Sequence, residues 1–485
     1  MKEIIRTLAE ISKKLQGYLL FAAFFLLFVL ALFVWLFPRG SFDRIIIGFA
    51  ELKGEHIFWL GVTFSLLFFS TTIFLLYLAY KSTVPHGAVN QTMQPYKENA
   101  ESVHPKDSNE IMQARQTLRV PMTELMAKYY KTKLGEKQET YFVKDMPVIF
   151  IPELLPEKPW DISRLDGMLS WTKNSPAAVR QSNIDMTSIM RDKKIYDGFI
   201  YRILDIQKNQ MQFCPGRYFS FLNTCECLSY EISEAMVTNK HYYNILTKSD
   251  KPDLEKIVSF LLENENLIPL RSQADPFDYP SRVTAFGTCT LVVIKRTKKS
   301  PQLILNKRSP KMGETPDLLH IIPAGTFQPN APDDRFHEHE FSFTENIIRE
   351  FVEELLEDHL IRQQHAPNVY NVNDMYGEKG KAFRKEIIKS QNCELVYLGL
   401  VIDPINLKPE IHTVLMLHEC HLLRACGPEL VTSWETHVGT LEFREFSPAS
   451  LRELLEKTSL VPTGRANLWL ALYHFNELSS RLANL

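Results

Sequence analysis

The residues from Glu345 to Asp358, "ENIIREFVEELLED", place Arg349-Glu350 four positions before Glu353-Glu354. Carboxylates at this density can hold a hard divalent cation through oxygen ligands, and a neighbouring arginine can hold them in place. Setting Glu350 at zero and turning ~100° per residue puts Glu353 near 300°, Glu354 near 40° and Glu357 near 340°. The four form one stripe. Ile348, Phe351, Val352 and Leu355 gather on the other side, as on a helix packed against a sheet. The pattern alone also suits the solvated face of an ordinary amphipathic helix. Two features favour a site. Few lysines stand at i+4 to relieve the repulsion, and a strand with a small-residue turn, "HIIPAGTF", precedes the helix and can bring backbone donors beside the carboxylates.

The elements around this helix read as α and β in alternation. "GTCTLVVIKRT" and "LILNKRS" are β-branched apolar runs separated by "KKSPQ", hence a hairpin. "CELVYLGLVIDP", "IHTVLMLHECHLL" and "LEFREFS" are further strands, and "PASLRELLEKT" and "GRANLWLALYHFNELSSRL" are helical. Residues 116–282 mix helical stretches ("VPMTELMAKYYKTKL", Arg217–Met236, "DLEKIVSFLLEN") with short apolar runs such as "YFVKDMPVIFIP", an α+β middle region with no legible chemistry. Residues 81–115 are polar and read as a linker.

Before that linker stand two apolar runs. No charge falls between Lys14 and Arg39, and a second run covers Ile57–Tyr80. Each exceeds the roughly 20 residues that cross a hydrocarbon core, with aromatics near the ends. Residues 1–80 are therefore expected to form a two-helix transmembrane hairpin. Lys2, Arg6, Lys13 and Lys14 before it, and Lys81 and Lys97 after it, predict an inner-membrane protein, multi-pass, with both termini cytoplasmic. The formal net charge of −2 gives no global basic field, so no DNA or RNA binding is expected. Seven scattered cysteines argue against a disulfide framework. "CEC" and "HECH" lack paired zinc-ligand spacing.

The acidic segment resembles the Nudix box, G-x5-E-x7-R-E-U-x-E-E-x-G-U. Gly325 matches the opening glycine, and Arg349, Glu350, Phe351, Glu353 and Glu354 match R-E-U-x-E-E. The resemblance covers residues 283–485 and implies an α/β/α sandwich with a mixed sheet. It implies Mg2+ or Mn2+ on Glu350, Glu353 and Glu354, with Glu350 as ligand or base, and Arg349 holding the acidic cluster. Arg308 resembles the basic residue that often follows the second strand, which makes Arg308, Gly325 and Arg349 candidate ligand-binding residues. The segment departs from the pattern in two places. Gly325 and Arg349 are separated by about ten residues more than the box allows, leaving Glu338, Glu340 or Glu345 as its first glutamate. Leu356 replaces the closing glycine, so the helix is expected to continue.

Two spans followed by such a domain are similar to the transmembrane-Nudix effectors of bacterial cyclic-oligonucleotide-based antiphage signalling systems. That resemblance implies a sensor of a cyclic nucleotide which, as a homo-oligomer, disrupts the lipid bilayer. A Mg-dependent hydrolase of nucleoside diphosphate derivatives and an interaction module on a degenerate scaffold are the other readings.

Overall fold

The structure is a computed structural model. It describes residues 108–485 apart from 136–139, 144–145, 179–182, 191–194, 249–251, 309–317, 332–333, 357–371, 390–392, 421–435 and 458. These residues fall in one compact unit, which includes both the middle and the C-terminal regions.

Helices of eight or more residues are labelled in chain order. They are α1 (Ser108–Thr117), α2 (Arg119–Leu134), α3 (Cys227–Thr238), α4 (Lys240–Lys248), α5 (Leu254–Glu263), α6 (Phe343–Leu355), α7 (Glu378–Lys389), α8 (Pro448–Leu455), α9 (Pro462–Tyr473) and α10 (Phe475–Asn484). The strands are β1 (Ile149–Phe150), β2 (Trp160–Asp161), β3 (Leu169–Trp171), β4 (Phe199–Gln207), β5 (Gln210–Arg217), β6 (Gly287–Lys295), β7 (Gln302–Arg308), β8 (Leu319–Ile321), β9 (Ala324–Thr326), β10 (Cys393–Ile402), β11 (Pro409–His418) and β12 (Thr436–Glu445).

The fold expected from the sequence began with two membrane-crossing helices, and here it needs correction. Among the described residues no helix is long and apolar enough to cross a membrane. The longest, α2, has 16 residues and carries arginine and lysine, whereas a span takes roughly 20 apolar ones. The apolar runs before residue 81 lie outside the described residues. The multi-pass inner-membrane placement therefore has no support in the structure.

What the structure contains is a mixed sheet with helices. The main path runs β1-β10-β11-β6-β7-β12, with β2, β8 and β9 paired at its flanks. β11 and β6 are parallel, from Glu410 beside Gly287 to His418 beside Lys295, and the other pairs are antiparallel. Side chains alternate across this sheet because successive Cβ atoms point to opposite faces. Val292 and Ile294 of β6 pack with Ile347, Ile348, Phe351, Val352 and Leu355 of α6. Leu291 and Val293 pack on the other face with Ala466, Leu468 and Leu470 of α9. Burial on both faces explains the continuous apolar runs.

The middle region is stitched into this sheet. β1 and β2 pair with β10, and β3-β5-β4 form a separate small sheet. Arg202 of β4 bridges to Ala285, just before β6. The C-terminal helical run breaks at His474, which separates α9 from α10.

A buried ionic junction ties α1, α2 and α3 to the turn between β10 and β11. The Glu226 carboxylate, fully buried, accepts from Arg115 and from Asn406. Arg115 Nε also donates to Ser229 Oγ at 2.6 Å. Arg119 pairs with Asp403. Arg271 donates to the carbonyls of Pro404 (2.7 Å) and Leu228 (3.0 Å).

Candidate functional site

The box helix α6 begins at Ser342, whose hydroxyl accepts from the Glu345 N–H. A second cap comes from far away in the chain. The Asp166 carboxylate accepts from the N–H groups of Phe343 (2.6 Å) and Thr344 (3.4 Å) and from the hydroxyls of Ser342 (3.0 Å) and Thr344 (2.6 Å). A negative charge here meets the positive end of the helix dipole and satisfies otherwise orphaned donors. Burial pushes the Asp166 pKa up despite those four hydrogen bonds.

Arg349 is the hub. Its Nη1 donates to the Gln328 carbonyl at 2.5 Å, and its Nη2 to Thr326 O (3.3 Å), Asn346 Oδ1 (2.8 Å) and Glu350 Oε1 (2.6 Å). One buried guanidinium thus joins the strand β9, the loop after it and the helix. Burial opposes its charge, but Glu350, Glu353 and Glu340 outweigh that and hold its pKa above the ordinary arginine value. Asn346 extends the clamp, accepting from the Gln328 N–H (3.3 Å) and donating to Thr288 Oγ1 of β6 (3.1 Å).

Gly325 stands directly against the Glu350 carboxyl, and a Cβ there would overlap it. The absence of a side chain is what lets strand and helix approach this closely. Glu354 reaches the Ala324 N–H at a long 3.4 Å. Gly325, Arg349, Glu350 and Glu354 are therefore brought together. The acidic stripe is not uniformly wet. Glu350 is 7 % exposed, Glu354 is half-buried and Glu353 is exposed. Glu357 lies outside the described residues.

Helix α6 does not continue through Leu356. It ends at Leu355, with Leu356 as its C-cap, and the Leu356 side chain is buried in the core. Arg308 ends β7 opposite Thr436 of β12; its side chain lies outside the described residues.

The lengthened box loop has its own scaffold. Glu340 accepts from the N–H groups of Asn330 (2.7 Å) and Ala331 (2.8 Å), closing the loop on itself. Tyr201 of the small sheet donates its hydroxyl to His337 O at 2.7 Å, and its N–H to Phe327 O at 3.1 Å. Phe327, Phe341 and Phe343 pack with Phe213, Tyr201 and Phe286. Of the three candidates for the first glutamate, Glu340 is the one whose charge acts on Arg349. Glu338 pairs with exposed Lys173 at 3.3 Å, and Glu345 pairs with Arg384 of α7.

Sequence reasoning missed Asp166, Asn346, Thr288 and Tyr201. Asn346 carried a usable signal, being three residues before Arg349 on one helix face. The other three are joined to the box only through space.

Among the described residues no group of three or more His, Cys, Asp or Glu side chains is gathered as a metal site. Glu350 is committed to Arg349, so Glu353 and Glu354 remain at the solvent edge. Two carboxylates suit a Mg2+ ion that takes its remaining oxygens from water and a ligand's phosphates. They do not suit an all-protein cage. Cys225 and Cys227 are buried in helical segments. No family model matches the chain, and no curated protein matches it.

Proposed function

We propose that the unit formed by β9, its following loop and α6 binds the phosphate groups of a nucleotide. A Mg2+ or Mn2+ ion would be shared between Glu353, Glu354 and the ligand. On this reading the chain is a sensor of a cyclic nucleotide in an antiphage signalling system. The observation that carries the reading is the Arg349 clamp. It fixes α6 against β9 and the loop after it, so that Glu354 reaches the Ala324 N–H and Glu353 stands exposed beside it, as phosphate recognition through a cation requires. Glu350 is 7 % exposed and its Oε1 accepts from Arg349 at 2.6 Å, which leaves it poorly placed to activate a water and favours binding over turnover. The second reading, a Mg-dependent hydrolase of nucleoside diphosphate derivatives, draws on the same pair, Glu353 and Glu354.

The test is calorimetry on the full chain with cyclic di-AMP, cyclic GMP-AMP and cyclic tri-AMP in millimolar Mg2+, followed by chromatography of the same mixtures. ADP-ribose is run alongside. Saturable binding of a cyclic nucleotide without product, lost in Glu353→Gln/Glu354→Gln, is expected. Conversion of ADP-ribose would establish the hydrolase instead. Neither binding nor conversion would overturn both.

A further inference from the structure

A cleft of about 740 Å³ opens where α2, the start of α5 and the first turn of α9 meet Phe142, Val143, Met146 and Pro147. Its size falls within the roughly 300–1,000 Å³ of small-molecule sites. None of the box residues lines it.

Its walls differ in chemistry. Glu124, Lys128, Lys131 and Thr132 follow one another along α2 at spacings that share a helix face. Across from them stand Phe142, Val143, Met146 and Leu254. Gly135, in the left-handed region at φ 72°, ends α2 at the rim.

The charges on the polar wall are unequally committed. Lys128 is paired with Glu255, and Thr132 donates to the Lys128 carbonyl at 3.0 Å. Lys131 is exposed and has no ionic partner among the described residues. Arg465 comes from α9 with its Nε buried and without a hydrogen-bond partner among the described residues, and its Nη1 is 3.6 Å from Glu124. Burial pushes the Glu124 pKa up against the pull of Arg465 and Lys128. Two cations therefore face the cavity with spare donors, opposite an apolar wall bearing an aromatic ring.

We infer that this cleft is a second ligand site, for a phosphate ester with a flat aromatic body, the class to which mononucleotides belong. Arg465 offers a planar fork and Lys131 a mobile point charge to the phosphate oxygens. Phe142 offers a face to the ring, and Met146 and Leu254 its floor. The inference does not depend on the box binding anything.

The experiment titrates the full chain with N-methylanthraniloyl-AMP, with chelator present so that a cation-dependent box is silent. Inorganic phosphate serves as competitor. Saturable binding is expected, weakened about tenfold by Lys131→Glu, the loss of one charge-assisted contact. Phe142→Ala should weaken the nucleotide and leave competition by phosphate intact. Arg465→Gln should weaken both; because Arg465 is half-buried, its melting temperature is measured beside it, and Lys131→Glu at an exposed position stands as the independent variant. Absence of saturable binding overturns the inference, as does binding indifferent to both Lys131→Glu and Phe142→Ala. Binding lost in Glu353→Gln but kept in Lys131→Glu assigns the nucleotide to the box and also overturns it.

Discussion

The Glu226 junction and the Glu350 box are both built from a buried arginine and a buried glutamate, yet they are finished differently. Glu226 is sealed: Arg115 and Asn406 occupy its two oxygens, and its own residue is fully buried. Nothing at the junction faces solvent to receive a ligand. In the box, Arg349 spends its donors on backbone carbonyls and on Glu350, and the next two glutamates are left at the edge. A closed polar network specifies how pieces of chain dock, whereas a network closed on one side places charge at a solvent edge.

The largest effect should come from opening the closed network. Glu226→Leu leaves Arg115 buried and uncompensated, and should cost about 3–5 kcal/mol in urea unfolding of the full chain. The same group gives an acid limb. Burial alone would raise the Glu226 pKa, but Arg115, Arg119 and Asn406 bring it below the ordinary 4.5. A depressed folded pKa contributes stability above the unfolded value, and that stability is lost as pH falls below about 4.5 towards the folded value. Stability curves at successive pH values should therefore drop there, and the drop should shrink in Glu226→Gln. A variant as stable as the parent would put the two networks on the same footing.

Breaking the half-closed network should cost less. Arg349→Leu strands Glu350 and three carbonyl or amide acceptors, yet solvent at the edge can reach part of them. About 2–3 kcal/mol is expected, with loss of any Mn2+ binding seen by calorimetry. Arg349 stays charged throughout the accessible range, since its pKa is held up, so this loss should not depend on pH near neutrality.

Asp166→Ala should cost about 1–2 kcal/mol, the size of a lost helix cap, and should loosen the first turn of α6 in hydrogen exchange. Protection unchanged at Phe343 and Thr344 would mean Ser342 caps the helix alone. Smallest in stability is Glu353→Gln, expected within about 0.5 kcal/mol of the parent because the side chain is exposed. It should nonetheless weaken Mn2+ binding. If it changes neither property, the edge carboxylates are only solvated surface.

The sequence by itself determined the local elements of the C-terminal half. The continuous apolar run of β6, buried on both faces, and the 3.6-residue period of α6 are short-range properties, and Arg349 and Glu350 were legible because they stand within a few residues of Glu353 and Glu354 on one helix. It did not reveal that α6 stops at Leu355, since no glycine or proline stands there to end it. Nor did it reveal what the longer loop is for. Glu340 closes that loop, and Tyr201 and Phe213 seat it on a sheet more than a hundred residues earlier. The cap from Asp166 acts across 177 positions and the grip of Asn406 on Glu226 across 180. Periodicity reports which face of an element is apolar. Which distant carboxylate meets a helix end, and whether a buried pair is sealed or left open to a ligand, is decided only when the tertiary structure brings those groups within hydrogen-bonding distance.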